Sequence, residues 1–336
     1  MLKKLTEICG VSGCESPVRQ FIENEIKDFC TQLHTDTMGN LIAFKKSVTG
    51  NEKTILLSAH MDEVGFIVTA ITPDGYLKFD TVGGIDERIL ASTRVRCGDI
   101  NGVISYKAVH LTDKDERKKA PSIDDFYIDI GAKTRETAEK HIMPGDYFAF
   151  DSDYVEFGEY IKAKALDDRV GCAIMIDVLK KSWNVNLYCT FTVQEEVGLR
   201  GATAAVHGIN PDYALVIEGT TCNDLPNVGE NLRVTKSGNG AAISILDSAS
   251  RANNEIIALL RTVAEKGNIP HQFKASTAGG NDAGAICIAN GGIKVASISV
   301  PCRYIHSPVC VMHKTDFESC RNIVDAFLKE VGKNDK

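Results

Sequence analysis

Strand and helix signals alternate at both ends of this chain. Between them lies a long segment, residues 66–160, that reads as short strands and turns. This interruption is what most limits the folds open to the sequence. Ile55 to Ala59 is an apolar run without polar alternation, as expected of a strand covered on both faces. Before it, Val18, Phe21, Ile22, Ile26 and Phe29 line one face of a helix, with Ser16 as its cap and Pro17 in its first turn. After Tyr160 the alternation resumes. A helix is expected over Asp168 to Lys181, followed by strands over Val185 to Val193 and Ala214 to Ile217. A helix over Asn254 to Glu265, a strand over Val295 to Val300 and a last helix over Asp316 to Val331 complete the series. Strands alternating with helices predict a mainly parallel α/β sheet.

Inside the interruption, turn signals recur at Pro73-Asp74-Gly75, Gly83-Gly84, Asn101-Gly102 and Pro144-Gly145. β-type runs lie between them, at Arg94 to Cys97, Val103 to Tyr106 and Phe126 to Ile130, with one short helical stretch from Thr134 to His141. The charged run Asp113 to Lys119 reads as an exposed loop. The expected architecture is therefore an α/β domain built from residues 1–65 and 161–336, interrupted by a β-rich, barrel-like domain over residues 66–160.

The balance of 38 basic against 45 acidic residues, net −7, argues against nucleic acid or an anionic membrane as partner. No run of 18 apolar residues and no signal peptide is evident, which points to the cytosol. Eleven cysteines without a CxxC pair, among them Cys172, Cys189 and Cys287 in apolar segments, read as buried reduced thiols.

Chemistry-bearing residues recur at one structural place. His60 follows the strand ending at Ala59, and Glu195 and Glu196 follow the strand ending at Val193. Glu218 follows the strand ending at Ile217, and His306 comes six residues after Val300. Ligands of open α/β sheets bind beyond the carboxyl ends of the strands. Asp167, in a loop just before a helix, adds a further metal-type group, although alone it could simply cap that helix. Imidazoles and carboxylates without a thiolate suit zinc. Two histidines and three carboxylates are too many for one four-coordinate ion with an open position, and suit two divalent ions sharing one carboxylate. Two such ions carry +4 against −3 from Asp167, Glu196 and Glu218, a remainder that favours a bound hydroxide. A metal pair about 3.5–4 Å apart activates water and polarises a carbonyl together. Glu195 is then free to take the proton of the water and pass it to a leaving amine. HExxH is absent, which excludes the single-zinc helix design.

Four segments carry a resemblance: Ala59-His60-Met61-Asp62-Glu63-Val64-Gly65, Ala165-Leu166-Asp167-Asp168-Arg169-Val170-Gly171, Gln194-Glu195-Glu196-Val197-Gly198-Leu199-Arg200-Gly201-Ala202 and Arg303-Tyr304-Ile305-His306-Ser307. In order and spacing they resemble the tetrahedral di-zinc aminopeptidases, peptidase family M-forty-two, over essentially the whole chain. The resemblance implies that His60, Asp167 and Glu218 hold one metal, and that Asp167, Glu196 and His306 hold the other. It implies Glu195 as general base and acid, and Asp62 as the group that orients His60 by fixing its tautomer. It also implies zinc, with cobalt or manganese as alternatives, short peptides as substrates, and a barrel that makes dimers assembling into a dodecamer. Relatives usually have Asp where this chain has Glu218, and the extra methylene alters ligand reach. Thr is commoner before Asp282 than the Asn281 found here, and Asp282 reads as a loop residue.

Two other hydrolase readings use the same residues. A deacylase acting on N-acyl amino acids or peptides would share the metal chemistry. A glucanase-like hydrolase would need two carboxylates flanking a sugar bond and no metal. A non-enzymatic assembly protein with a drifted site is the reading that Glu218 prompts.

Overall fold

The computed structural model describes residues 1–115, 118–277 and 279–333. Strands β1 (Gln32–Thr35), β2 (Leu41–Lys45) and β3 (Thr54–His60) follow helices α1 (Leu2–Glu7) and α2 (Ser16–Ile26). Next come β4 (Gly65–Ile71), β5 (Leu77–Val82), β6 (Arg94–Cys97), β7 (Ile100–Ser105), β8 (Tyr127–Asp129) and β9 (Tyr147–Phe150), with α3 (Arg135–Ala138) before β9. The chain continues through β10 (Val155–Phe157), β11 (Tyr160–Ala163), α4 (Leu166–Leu179), β12 (Asn186–Thr192), α5 (Arg200–Ala205) and β13 (Tyr213–Thr221). It closes with β14 (Ala241–Ile243), α6 (Asn254–Lys266), β15 (His271–Phe273), α7 (Ala283–Ile288), β16 (Val295–Arg303), β17 (Cys310–His313) and α8 (Lys314–Val331).

The described residues form one eleven-stranded sheet and one closed barrel. The large sheet is mixed α/β in character, and its centre, β12-β3-β13-β16, is parallel throughout. Antiparallel strands extend it on both flanks. Ile55, Leu57 and Ala59 of β3 pack into the core shared with α4 and α8, while Leu56 packs on the opposite side with α5 and α7. Two covered faces explain the unbroken apolar run. In β12, Leu187, Cys189 and Phe191 enter the first core, which leaves Tyr188, Thr190 and Thr192 for the other face.

β4 to β9 close into the barrel, filled by Phe66, Phe79, Phe148 and Phe150 among others. Phe66 meets Phe79 and Phe150 edge-on, with ring centroids 5.3 and 5.2 Å apart. After Phe150 the chain leaves the barrel, and β10 pairs with β11 in the large sheet.

Several local readings change. Helix α2 begins at Ser16 itself, with Glu15 in the cap position, and ends at Ile26. Phe29 falls in a 3-10 turn beyond it and is exposed, so it leaves the apolar face. β13 runs on to Thr221 and β16 to Arg303, because the two strands pair residue by residue from Ala214–Val295 to Thr221–Cys302. Glu218 therefore sits inside a strand rather than past its end. In the charged run, Glu116 and Arg117 lie outside the described residues, and Asp113, Lys114, Asp115, Lys118 and Lys119 are exposed. Cys172 and Cys189 are buried thiols and Cys287 is half-buried. No helix among the described residues is long and apolar enough to cross a membrane.

Candidate metal centre

Parallel register brings the functional side chains to one level. Thr192 pairs with His60, and Val216 pairs with Ser58, which sets Glu218 two residues on beside His60. Asp167 enters from the turn that opens α4, where Ala165 has a left-handed φ of 52° and Asp167 itself is non-helical. It lies so close over β13 that a Cβ on Gly219 would stand 2.9 Å from the Asp167 side chain. A side chain at position 219 would displace the carboxylate, which is why glycine is required there.

Asp167 faces two histidines with different oxygens. Oδ1 lies 3.4 Å from His60 Nε2, and Oδ2 lies 3.5 Å from His306 Nε2. Glu218 Oε1 stands 3.7 Å from the same His60 nitrogen, and Glu196 Oε2 stands 3.3 Å from the same His306 nitrogen. Each imidazole is held through its other nitrogen. His60 Nδ1 is 3.1 Å from the main-chain oxygen of Asp62 and 3.4 Å from its carboxylate. His306 Nδ1 is 2.8 Å from the carbonyl of Gly84, in the barrel segment. With hydrogen on Nδ1 in both rings, both Nε2 lone pairs face the carboxylates, as metal-binding histidines require.

Glu195 and Glu196 do not extend β12, which stops at Thr192. Gln194 adopts φ 55°, and this left-handed residue turns the chain before the doublet. A turn, rather than the alternation expected of neighbouring side chains at a strand end, therefore sets the directions of the two carboxylates. Glu196 reaches His306, and both glutamates line a cavity of about 240 Å³ together with Asp167, Glu218, Lys274 and His306. Of the seven residues singled out from sequence, His60, Asp167, Glu195, Glu196, Glu218 and His306 thus gather in one cluster, and Asp62 stands behind His60 on its Nδ1 side.

Charge in this cluster is unbalanced. Burial pushes the Glu195 carboxyl up to about 9, with Asp282, Glu196 and Asp167 adding to the effect against His60. Burial likewise raises Glu196 to about 7, and Glu218 well above the carboxylate range. Burial works against charge on His306 and His60, yet the surrounding carboxylates hold His306 up at about 10 and His60 well above its ordinary value. Protons are thus the counter-charge that this cluster takes when nothing else supplies one. Asp167 Oδ1 and Glu218 Oε2 are buried without a hydrogen bond.

The donor set fits divalent ions. Two nitrogen or oxygen ligands at about 2.0–2.2 Å from a tetrahedral zinc stand about 3.3–3.6 Å apart, and the four pairs above lie between 3.3 and 3.7 Å. The longest, 3.7 Å, involves Glu218 and stands about 0.1 Å beyond that span, a gap that a small side-chain movement closes.

Two residues escaped the sequence reading. Asp168 is fully buried beside His60 and Glu218, close enough to complete a second possible ligand group. Its oxygens already accept from His60 N at 3.2 Å and Gly171 N at 3.0 Å, whereas Asp167 Oδ1 accepts from nothing. Asp167 is therefore the better ligand, and Asp168 braces the backbone of His60. The Asp167-Asp168 doublet was the available signal. Asp282 is no surface loop residue: it is buried against β12, 2.6 Å from Thr192 Oγ1.

Residues 39–323 match the family model described as M42 glutamyl aminopeptidase. The chain belongs to this family. Its members are metal-dependent aminopeptidases, and the chain is accordingly a peptidase of the hydrolase class. Glutamyl aminopeptidase of Lactococcus lactis is 31% identical over 97% of this chain and 94% of its own length. Lysyl aminopeptidase of Pyrococcus furiosus is 30% identical over 98% and 96%. The solved structure of the Pyrococcus horikoshii TET1 peptidase, described as assembling into a tetrahedron or a large octahedral shell, superposes with a TM-score of 0.87 at 35% identity, over 98% of each chain.

Proposed function

We propose that this family member removes N-terminal residues from short peptides using two divalent ions, with zinc as the first choice. His60, Asp167 and Glu218 would hold one ion, and Asp167, Glu196 and His306 the other. The observation that carries the reading is Asp167, whose two oxygens address two different histidines. When bound, the ions supply an activated water and a Lewis acid for the scissile carbonyl. Glu195, on the cavity wall and not opposed to either histidine in the pairs above, is the base that takes a proton and the acid that delivers it to the leaving amine. Asp62 fixes the His60 tautomer, and Gly84 does the same for His306.

The cavity also bears on substrate choice. Lys274 is half-buried on its wall and makes no ion pair with any described residue. A lysine in that place attracts an acidic side chain and repels a basic one, which sets this chain nearer to a glutamyl than to a lysyl preference. The test is a panel of aminoacyl p-nitroanilides. Glutamyl and aspartyl substrates should be cleaved with at least about tenfold higher kcat/KM than lysyl ones, a difference of about 1.4 kcal/mol. Lys274→Glu should reverse the order. A chelator should abolish all turnover, and zinc should restore it at two ions per chain. N-blocked peptides should remain intact, and their cleavage would favour the deacylase reading. A preference for lysyl substrates would remove Lys274 as the selecting group.

Residues 66–160 would serve as the dimerisation domain of a dodecamer, with residues 1–65 and 161–336 as the peptidase domain. Exposed Val103, Val109 and Leu111 on the barrel segment support this reading. Light scattering should give a mass of twelve chains, and a stable monomer would refute it.

A further inference from the structure

The loop from Cys9 to Glu15 is remote in sequence from Glu195 and Glu196, yet it contacts one carboxylate that supports that doublet, Asp62, and supplies another, Glu15. Val11 forms an isolated parallel bridge with Glu63, and Ser12 N donates to Glu63 O at 3.2 Å, which fixes the loop beside Asp62. From there Ser12 Oγ donates to Asp62 Oδ2. The Asp62 carboxylate also accepts from Glu195 N at 3.0 Å and from Glu196 N at 3.2 Å. Glu15 Oε1 accepts from Gly13 N at 2.7 Å and from Gln194 N at 3.1 Å. Three consecutive amides, 194 to 196, thus point at two buried carboxylates. Oriented N–H groups in succession form a concavity that favours anions.

The left-handed backbone of Gln194 makes this arrangement necessary. A non-glycine residue at φ 55° is disfavoured and persists only where its surroundings hold it. Glu15 holds its N–H, and the carbonyl of Gln194 accepts from Arg200 N at 3.2 Å. With the amides turned inward, the Glu195 and Glu196 side chains leave the turn toward the cavity. Ser12 and Glu15 are 4% and 5% exposed, so solvent does not substitute for either contact.

We propose that Ser12 and Glu15 are positioning residues of the catalytic centre, acting as a clamp on the Glu195–Glu196 turn through Asp62 and Gln194. Neither touches the proposed ligand atoms. Ser12 saturates the carboxylate that orients His60, and Glu15 fixes the conformation that separates the doublet. The kinetic part of this inference rests on the aminopeptidase reading, while its metal-affinity part does not.

The test compares Ser12→Ala, Ser12→Thr, Glu15→Ala and Glu15→Gln in the full chain, using kcat and KM for a glutamyl p-nitroanilide, zinc affinity by competition with a chelating dye, and the thermal midpoint. Loss of a group behind a metal ligand costs about 10–100-fold in affinity or activity. Ser12→Ala and Glu15→Ala should each lower kcat about tenfold or more with KM little changed, and Ser12→Ala should weaken zinc by a similar factor. Ser12→Thr, which retains the hydroxyl, and Glu15→Gln, which retains one carbonyl acceptor, should recover most of the loss. Alanine variants with unaltered kcat and zinc affinity would overturn the clamp, as would conservative variants no better than alanine. If the wild type cleaves no aminoacyl substrate, the aminopeptidase reading fails, and zinc affinity alone decides the clamp.

Discussion

Glu195→Gln should lower kcat by about 10²–10⁴-fold, the usual contribution of a positioned general acid–base group, while both ions remain bound. The substitution preserves volume and the backbone N–H that donates to Asp62. It removes only the ability of the side chain to hold and release a proton. Because Glu195 is not among the carboxylates opposed to His60 Nε2 or His306 Nε2, metal content should stay at the wild-type value and KM should move little. Asp167→Asn is the contrasting variant. It weakens the one carboxylate common to both histidines, so loss of activity there should accompany loss of metal. Elemental analysis beside single-substrate kinetics separates the two cases. Unchanged turnover of Glu195→Gln with metal in place would remove Glu195 from its assigned role.

The placement of these groups was readable because each follows from a buried parallel strand. Ile55 to Ala59 had to be covered on both faces, and His60 had to emerge at its end. Alternation in β12 located the doublet, and the apolar approach to Glu218 marked a strand rising into the same layer. What sequence could not supply was long-range pairing. β13 and β16 extend beyond their apolar residues because each satisfies the other's backbone groups, so Glu218 lies within a strand although its side chain is polar. Gly84 is similar: two glycines signal a turn, but nothing local says that a carbonyl there will meet His306 across 222 positions of chain. Asp168 reads as the first residue of a helix and Asp282 as a loop residue, and nothing local marks either as buried. Here tertiary contacts bury both, one against the amide of His60 and the other against the hydroxyl of Thr192.

Behind the proposed metal centre lies a second charged group, whose disruption should cost the most stability of any change considered. Glu63, Lys164 and Arg169 are all buried, with exposures of 2%, 1% and 0%. Lys164 Nζ donates to both oxygens of Glu63, at 2.6 and 2.7 Å, and Arg169 Nη2 lies 3.4 Å from Oε1. Gly10 N adds a third donor to Oε1 at 3.0 Å. Two cations share one anion, and the excess charge is spread over main-chain oxygens: Arg169 donates to Met61 O and Ile8 O, and Lys164 also donates to Ile8 O. Glu63→Gln removes the anion and leaves both cations buried. Breaking a buried pair in this way costs about 3–5 kcal/mol. Lys164→Met should cost less, because Glu63 and Arg169 then remain as a balanced pair. The double variant should be more stable than Glu63→Gln alone, since it removes one of the stranded charges. Thermal midpoints of the three variants, compared at equal protein concentration, decide the matter. Equal losses for Glu63→Gln and Lys164→Met would mean that packing, not charge balance, governs the site. Because Met61 and Asp62 lie between Glu63 and His60, the unfolding and the loss of metal should coincide in Glu63→Gln: the charge cluster anchors the segment from which both the proposed ligand His60 and the Asp62 carboxylate beside it project.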